Sequence, residues 1–306
     1  MNWKIKFGKT GVKLLKRRMA KSQRKTMSTW PETIPYRCVS DVDALSDGQF
    51  DHQFDIYYAD PAIRNHLTVL DIHGGAYIAN TRKINYGYAT VFLENGFDVV
   101  VLDYPLNDGK QEIIEQVRVL AKQLCFLHDH AGEYELDPDT FFLTGDSAGG
   151  HFALLLAEAV CNSEIAGKLK LEIGDFSCRA VSVSCPVYDL EKAIRESPLN
   201  KNGLPELYGP SWNDAAYIRS ISPDTYISSL MIPVFINTCR NDFLVEHSRA
   251  LLKDLTDLDR NPEYLYLDDT KKEVTHVHNV NNITLEQSIQ VNREMMGFFR
   301  RHAEKD

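Results

Sequence analysis

The sequence has no apolar run long enough to cross a membrane, and no apolar stretch follows the basic residues at its amino terminus. A secretory signal peptide needs such a stretch, so the sequence predicts neither a leader peptide nor a membrane span. Its six cysteines form no C-x-x-C pair and show no metal-ligand spacing. Several fall inside predicted strands or helices, where cysteine behaves as a small apolar residue. We therefore expect free thiols, a reducing cytoplasmic location, and a protein that needs no metal ion or other cofactor.

Acidic residues are absent from the first 31 residues, which hold ten Lys or Arg, although the whole chain has a net charge of −9. The strongly acidic remainder argues against nucleic acid as the main partner. A basic helix in this segment would carry one apolar stripe, formed by Trp3, Phe7, Val12, Leu15 and Met19. Such a helix fits either a cap arm that covers the functional site or contact with an anionic membrane surface. We favour the cap arm, because Gly8 and Gly11 interrupt the stripe and would leave a free-standing helix marginal.

Internal repeats and low-complexity tracts are also missing, and strands alternate with helices along most of the chain. Phe97–Leu102 is a nearly continuous apolar run, which is typical of a parallel sheet covered on both faces. A chain of this length fits one α/β domain. We assign residues 51–306 to it and residues 1–50 to a basic arm that forms part of the cap. The predicted strands are Phe54–Tyr58, Leu67–Ile72, Phe97–Leu102, Phe141–Thr144, Val181–Ser184, Val234–Asn237 and Tyr264–Leu267.

Residues 186–225 break this alternation. They show no clear periodic segment until late in the stretch, and they are rich in proline, glycine and aromatic residues. An ordinary long connection is the alternative, but long irregular loops are uncommon in compact domains unless they are functional. We predict a lid whose aromatic side chains line a pocket. The residues that favour it are Pro198, Gly203, Pro205, Tyr208, Gly209, Pro210, Trp212 and Tyr217.

A G-x-S-x-G motif, Gly145-Asp146-Ser147-Ala148-Gly149, lies between a predicted strand and a predicted helix. As a bare pattern it also fits a glycine-rich loop, but between these two elements it indicates a nucleophile elbow. The turn is tight, and small residues are needed at its outer positions because a side chain there would strike the neighbouring backbone. We predict that this turn holds the Ser147 hydroxyl clear of the sheet.

His73-Gly74-Gly75-Ala76 follows the predicted strand Leu67–Ile72. Acyl transfer passes through a tetrahedral oxyanion, which needs N–H donors already aimed at it. Alone, His-Gly-Gly fits a plain turn. Upstream of a nucleophile elbow, it predicts an oxyanion hole whose donors are the backbone amides of Gly74, Gly75 and Ala148.

From about Gln53 to Arg301 the sequence resembles the hormone-sensitive-lipase-like branch of the α/β-hydrolases, which includes many bacterial carboxylesterases. The resemblance rests on the two motifs around His73 and Ser147 and on the acid and base discussed next. It implies an α/β-hydrolase fold, with a mostly parallel central sheet, helices on both faces and a small cap. Two departures occur: Ala76 replaces the family's third glycine, and Asp103-Tyr104-Pro105-Leu106 replaces its usual Asn-Tyr-Arg-Leu.

A nucleophilic serine needs a base, and the base needs an orienting carboxylate. In α/β-hydrolases the three follow in the order serine, acid, histidine. Asp242 comes directly after the predicted strand at 232–238, and Asp-x-Leu is similar to the family's acid motif. The alternative is an aspartate that only caps the next helix. Asn241 cannot carry the charge and Glu246 falls one turn further on, so we predict Asp242 as the acid.

The base is expected in the loop after the last predicted strand, where two histidines lie two residues apart. His276 matches the catalytic position of the resembled family. His278 is the rival, because a spacing of two places both side chains on one face of an extended segment.

Together these residues predict a serine hydrolase that cleaves short-chain carboxylic esters of small molecules through Ser147, His276 and Asp242. An amidase or peptidase that uses the same triad is a second interpretation. A non-catalytic receptor on a hydrolase fold is a third, but such a protein would be expected to have lost the base or the acid, and both are present here.

Overall fold

A computed structural model describes residues 8–27 and 35–303 of the chain. The strands in this part are β1 Arg37–Asp43, β2 Gln53–Tyr58, β3 Thr68–Ile72, β4 Asp98–Leu102, β5 Phe141–Asp146, β6 Val181–Ser184, β7 Val234–Cys239 and β8 Glu263–Leu267. The helices are α1 Lys9–Met27, α2 Tyr86–Leu93, α3 Ile113–Asp129, α4 Ala148–Cys161, α5 Ser163–Leu169, α6 Leu190–Glu196, α7 Leu204–Tyr208, α8 Ala215–Ser220, α9 Val245–Asp257, α10 His278–Asn281 and α11 Glu286–Arg301.

The strands form one eight-stranded sheet in the order β1-β2-β4-β3-β5-β6-β7-β8. β3 to β8 run parallel to one another, while β2 pairs antiparallel with both β1 and β4. The predicted mostly parallel sheet is therefore confirmed. Because parallel strands end at one edge, the loops that follow β3, β5, β7 and β8 all meet at the carboxyl edge of the sheet, which is where α/β folds bind ligands.

Helices cover both faces of the sheet, as predicted. Alternate side chains of β4 enter two separate cores: Val100 and Leu102 pack with residues of α3 and α4, whereas Val99 and Val101 pack with residues of α2 and α11. All four of these valine and leucine side chains are fully buried. The continuous apolar pattern of the strand follows from this burial on both sides.

Strand β1 was not predicted. Its sequence, Arg-Cys-Val-Ser-Asp-Val-Asp, is mostly polar, and its register on β2 shifts between Val39 and Val42 where Asp41 takes a φ of 58°. This irregularity breaks the alternation by which an edge strand is recognised. Residues 37–43 thus belong to the central sheet and not to a separate amino-terminal arm.

Residues 186–225 form α6, α7 and α8, three short helices joined by turns. α1 packs beside them, with Val12 buried at 3% exposure and Lys9 paired with Glu206 of α7. Trp3 and Phe7, which complete the predicted stripe, lie outside the described residues. None of the described helices combines the length and the apolar character needed to cross a bilayer.

Candidate active site

Ser147 occupies the turn between β5 and α4, at the carboxyl edge of the sheet. Its backbone has a φ of 54° and a ψ of −114°, a strained conformation for a residue with a side chain. A Cβ on Gly145 would lie 2.4 Å from the carbonyl oxygen of Gly149, and one on Gly149 would lie 2.0 Å from that of Ile72. The small residues at these positions are therefore required by the close approach of the backbone.

The hydroxyl of Ser147 begins a chain of hydrogen bonds across three loops. Its Oγ lies 3.0 Å from Nε2 of His276, and Nδ1 of the same ring lies 2.7 Å from Oδ1 of Asp242. The three residues come from the loops after β5, β8 and β7. The structure thus brings together the three side chains that the sequence analysis selected.

Asp242 is buried at 4% exposure but well supplied with donors. The hydroxyl of Thr238 donates to Oδ2 at 2.7 Å, and the backbone amide of Leu244 donates to Oδ1 at 2.9 Å. Burial alone would raise the pKa of this carboxyl, but the hydrogen bond from His276, together with these donors, holds its pKa below the ordinary value. The geometry therefore favours an ionised carboxylate that orients the imidazole ring.

His278 lies away from this hydrogen-bonded chain. Its Nδ1 is 2.9 Å from the hydroxyl of Ser288 on α11, and burial lowers its pKa to about 4. The expectation that both histidines share one face of an extended segment is wrong, because Val277 takes a left-handed φ of 50° and α10 begins at His278. The turn sends the two rings in different directions.

The loop after β3 differs from its prediction in one donor. The amide of Gly74 donates to Oδ1 of Asp146 at 2.8 Å, so it is not free to face an oxyanion. Gly75 and Ala76 line the cavity beside Ser147, and no described residue accepts a hydrogen bond from their amides. Ala148 is the first residue of α4, where an amide has no partner within the helix. The assignment of Gly74 as an oxyanion donor was therefore wrong. The backbone amide of Ala76, which follows Gly75, is better placed to be a donor.

This loop is braced from below by buried charges that the sequence analysis did not select. Nδ1 of His73 lies 2.7 Å from the carbonyl oxygen of Gly74, and its Nε2 lies 3.2 Å from Oδ1 of Asp103. Asp103 accepts hydrogen bonds from the backbone amide of Arg82 at 2.6 Å and from its guanidinium at 2.5 Å. The guanidinium is fully buried and also bonds Asp55 at 3.0 Å. The arrangement fixes the loop that carries Gly75 and Ala76.

Asp71, on β3 beneath the same loop, gives a test of stability against pH. The side-chain amide of Asn85 donates to its Oδ2 at 2.9 Å, but no described residue bonds Oδ1. Burial, with the nearby charge of Asp146, raises the pKa of Asp71 from 3.8 to about 8. Between these values the folded protein binds the extra proton, so the free energy of unfolding falls as the pH rises.

Replacing Asp71 with Asn removes this loss. As the pH rises from 5 to 8, we expect the free energy of unfolding of the variant to increase relative to that of the wild type. The expected increase is at least about 1.4 kcal/mol, which corresponds to one pKa unit. Urea unfolding of both proteins at the two pH values measures the gain. Parallel profiles for the two proteins would contradict the raised pKa.

A cavity of about 810 Å³ opens above Ser147, and its wall is mostly apolar. The segment at 186–225 covers one side of it through α6 and α7, and α1 covers another side. The expectation that several aromatic side chains of that segment line the pocket is met by Tyr208 alone, because Trp212 and Tyr217 pack against the core instead. Cavity-lining side chains on α1 and the 186–225 segment are Leu15, Met19, Val187, Ala193, Glu196, Ser197, Pro198, Leu207 and Tyr208.

Comparison with known proteins gives both a family and a fold. Residues 54–255 match the family model described as BD-FAE. A curated relative, the probable carboxylic ester hydrolase LipM of Mycobacterium tuberculosis, is 27% identical over 235 residues, which cover 69% of this chain and 53% of that protein. The chain thus spans about half the length of this relative.

Two solved structures share the fold at low sequence identity. An inhibited esterase B from Lactobacillus rhamnosis has a TM-score of 0.86 and 23% identity, with 95% of each chain covered. A truncated carbohydrate esterase from gut microbiota has a TM-score of 0.70 and 19% identity, with 90% of this chain and 99% of that chain covered. The α/β-hydrolase fold implied by the sequence is confirmed.

Proposed function

The chain belongs to the BD-FAE family, and from this membership we propose that it is a serine hydrolase that cleaves carboxylic esters. One observation carries the proposal: Ser147, in a strained turn at the base of the cavity, is hydrogen bonded to His276, which in turn is hydrogen bonded to the buried Asp242. A serine in such a chain is an activated nucleophile.

In the proposed reaction, the Oγ of Ser147 attacks the ester carbonyl while Nε2 of His276 takes its proton. The carboxylate of Asp242 holds the ring tautomer and stabilises the imidazolium that forms. His276 then protonates the leaving alcohol, which leaves an acyl group on Ser147. Finally, the same histidine activates a water molecule that releases the acid.

We assign the oxyanion hole to the backbone amides of Gly75, Ala76 and Ala148. The first two stand in the loop braced by His73, and the third stands at the amino end of α4, where the helix dipole also favours negative charge. Ala76 has a φ of 52°, which glycine adopts with less strain. This conformation gives a physical reason for the third glycine of the hormone-sensitive-lipase-like sequences that this chain resembles.

The cavity supports short acyl esters as the substrate class. Its wall offers apolar side chains on α1, α6 and α7, and its volume of about 810 Å³ falls in the range of small-molecule sites. The structurally similar esterase B was also solved with a tributyrin phosphonate inhibitor, in which the acyl groups are short. We therefore propose an acid part of a few carbons with a small alcohol.

A chain-length series of p-nitrophenyl esters tests this proposal. We expect the highest kcat/KM with acetate to hexanoate and a decline with longer acyl chains. Residues of α1 and α7 line the cavity, so a longer acyl chain would have to displace one of these helices. The p-nitroanilides of the same acids should react far more slowly, since the amine is a poorer leaving group. Faster turnover of the anilides would favour an amidase, and no turnover of any ester would favour a receptor.

A further inference from the structure

Helix α1 carries two opposed faces over residues 9–21, the part of the helix whose side chains the structure describes. Val12, Leu15 and Met19 are three or four residues apart and face the body of the protein: Val12 is buried, and Leu15 and Met19 line the catalytic cavity. Lys13, Arg17 and Lys21 are spaced four residues apart and are all exposed. Residues at that spacing share one side of a helix, so these cations lie opposite the apolar contact.

Among the described residues, no acidic side chain pairs with the outward cations. Lys9 pairs with Glu206 at the start of the helix, but among the described residues no carboxylate lies within 4 Å of Lys13, Arg17 or Lys21. The first 31 residues hold ten Lys or Arg and no acid, while the whole chain is acidic with a net charge of −9. The exposed face of α1 therefore carries positive charge on a chain that is acidic overall.

Two large apolar side chains, one on α1 and one in the wall of the cavity, are exposed. Leu14 on α1 is 46% exposed, and Phe243 is 75% exposed. Phe243 also lines the catalytic cavity, and its ring centroid lies 4.2 Å from that of His276. Because α1 also contributes Leu15 and Met19 to that cavity, its exposed cations and these exposed apolar side chains supply the two interactions that hold a protein at a lipid surface.

We propose that the outer face of α1 docks on an anionic lipid bilayer and turns the mouth of the catalytic cavity toward it. Lys13, Arg17 and Lys21 contact lipid headgroups, and Leu14 and Phe243 reach the boundary with the acyl chains. The acidic remainder of the chain is repelled by the same surface, which fixes the orientation. Esters dissolved in the bilayer then reach Ser147 from the lipid side; this last step alone rests on the proposed function.

The inner face of α1 packs on the core through Val12 and lines the cavity through Leu15 and Met19, so covering the site and docking on lipid do not compete for the same side chains. A nucleic acid would also attract the cations. It gives no role to the exposed Leu14 and Phe243, or to the apolar cavity that α1 partly lines. The lipid surface accounts for both the charge and the apolar groups.

Co-sedimentation of the full chain with vesicles tests the proposal. We expect binding to vesicles of equal parts phosphatidylglycerol and phosphatidylcholine, weakened by added salt, and little binding to phosphatidylcholine alone. The triple variant Lys13→Glu, Arg17→Glu and Lys21→Glu should lose at least about 100-fold in vesicle affinity, because each cation near an anionic surface contributes about a factor of five. Glutamate is a good helix former, so α1 itself is retained.

A matched control reverses Lys168, Lys170 and Lys272, which are exposed, lie outside α1 in the sequence and change the net charge equally. It should bind vesicles far more tightly than the α1 variant. Both variants should hydrolyse soluble p-nitrophenyl acetate like the wild type, and Ser147→Ala should still bind vesicles, so loss of docking and loss of activity are read separately. Equal losses in the two triple variants, no binding by the wild type, or tighter binding to single-stranded RNA than to these vesicles would overturn the proposal.

Discussion

Replacing Ser147 with Ala is expected to lower kcat for p-nitrophenyl acetate by on the order of 10⁴ to 10⁶. The variant has no nucleophile within reach of the ester carbon, and His276 can then only assist direct attack by water. Alanine keeps the small volume that the turn accepts, so the fold is expected to survive. Initial-rate kinetics on purified protein, with the thermal unfolding temperature measured beside them, check both statements.

Residual turnover above about a tenth of the wild-type value, in a folded variant free of wild-type enzyme, would remove Ser147 from the scheme. Ser184 offers a comparison within the chain. Its backbone oxygen accepts the amide of Ser147, but its hydroxyl bonds Asn237 at 2.7 Å and is 1% exposed. Ser184→Ala should therefore change stability more than it changes the chemical step.

The largest effect after that of the serine is expected at the base. His276→Ala should lose a similar factor to Ser147→Ala, because the hydroxyl keeps its proton when Nε2 is absent. His278→Ala is the matched control two residues along the chain. Its ring bonds Ser288 on α11 and makes no hydrogen bond to Ser147 or Asp242, so most activity per folded molecule should remain.

These two variants separate catalysis from packing when kcat and unfolding are measured together. His278 is buried at 2% exposure, so its loss should lower the unfolding temperature more than the loss of His276, whose side chain is 17% exposed. If kcat fell by this factor in His278→Ala and not in His276→Ala, the base would have to be assigned to His278.

The nucleophile elbow could be predicted from the sequence because its steric requirements are local. Gly145 and Gly149 are required because the strand turns sharply into the helix here. The five residues of the motif therefore predict this turn. Asp242 and His276 were found because a triad requires them in a fixed order after particular strands. These inferences depend on the neighbours of each residue along the chain and on the chemistry of acyl transfer.

The errors arose where distant residues decide the structure. Gly74 looked like a donor until the carboxylate of Asp146, 72 positions away, was seen to accept its amide. The bracing of His73 through Asp103 and Arg82 joins the connection between β3 and α2 to the loop after β4, and no local pattern marks it. Strand β1 escaped prediction because a bulge at Asp41 and polar neighbours erase its alternation.

The claim that Ser147 is an activated nucleophile is tested most directly by labelling with a fluorophosphonate. The reagent forms a covalent phosphonyl bond only with a serine whose base and oxyanion hole are in place. We expect one label per chain, found by peptide mass mapping on Ser147, with labelling lost in both Ser147→Ala and His276→Ala. An unlabelled wild-type protein that is fully folded, or a label on any other residue, would contradict the account.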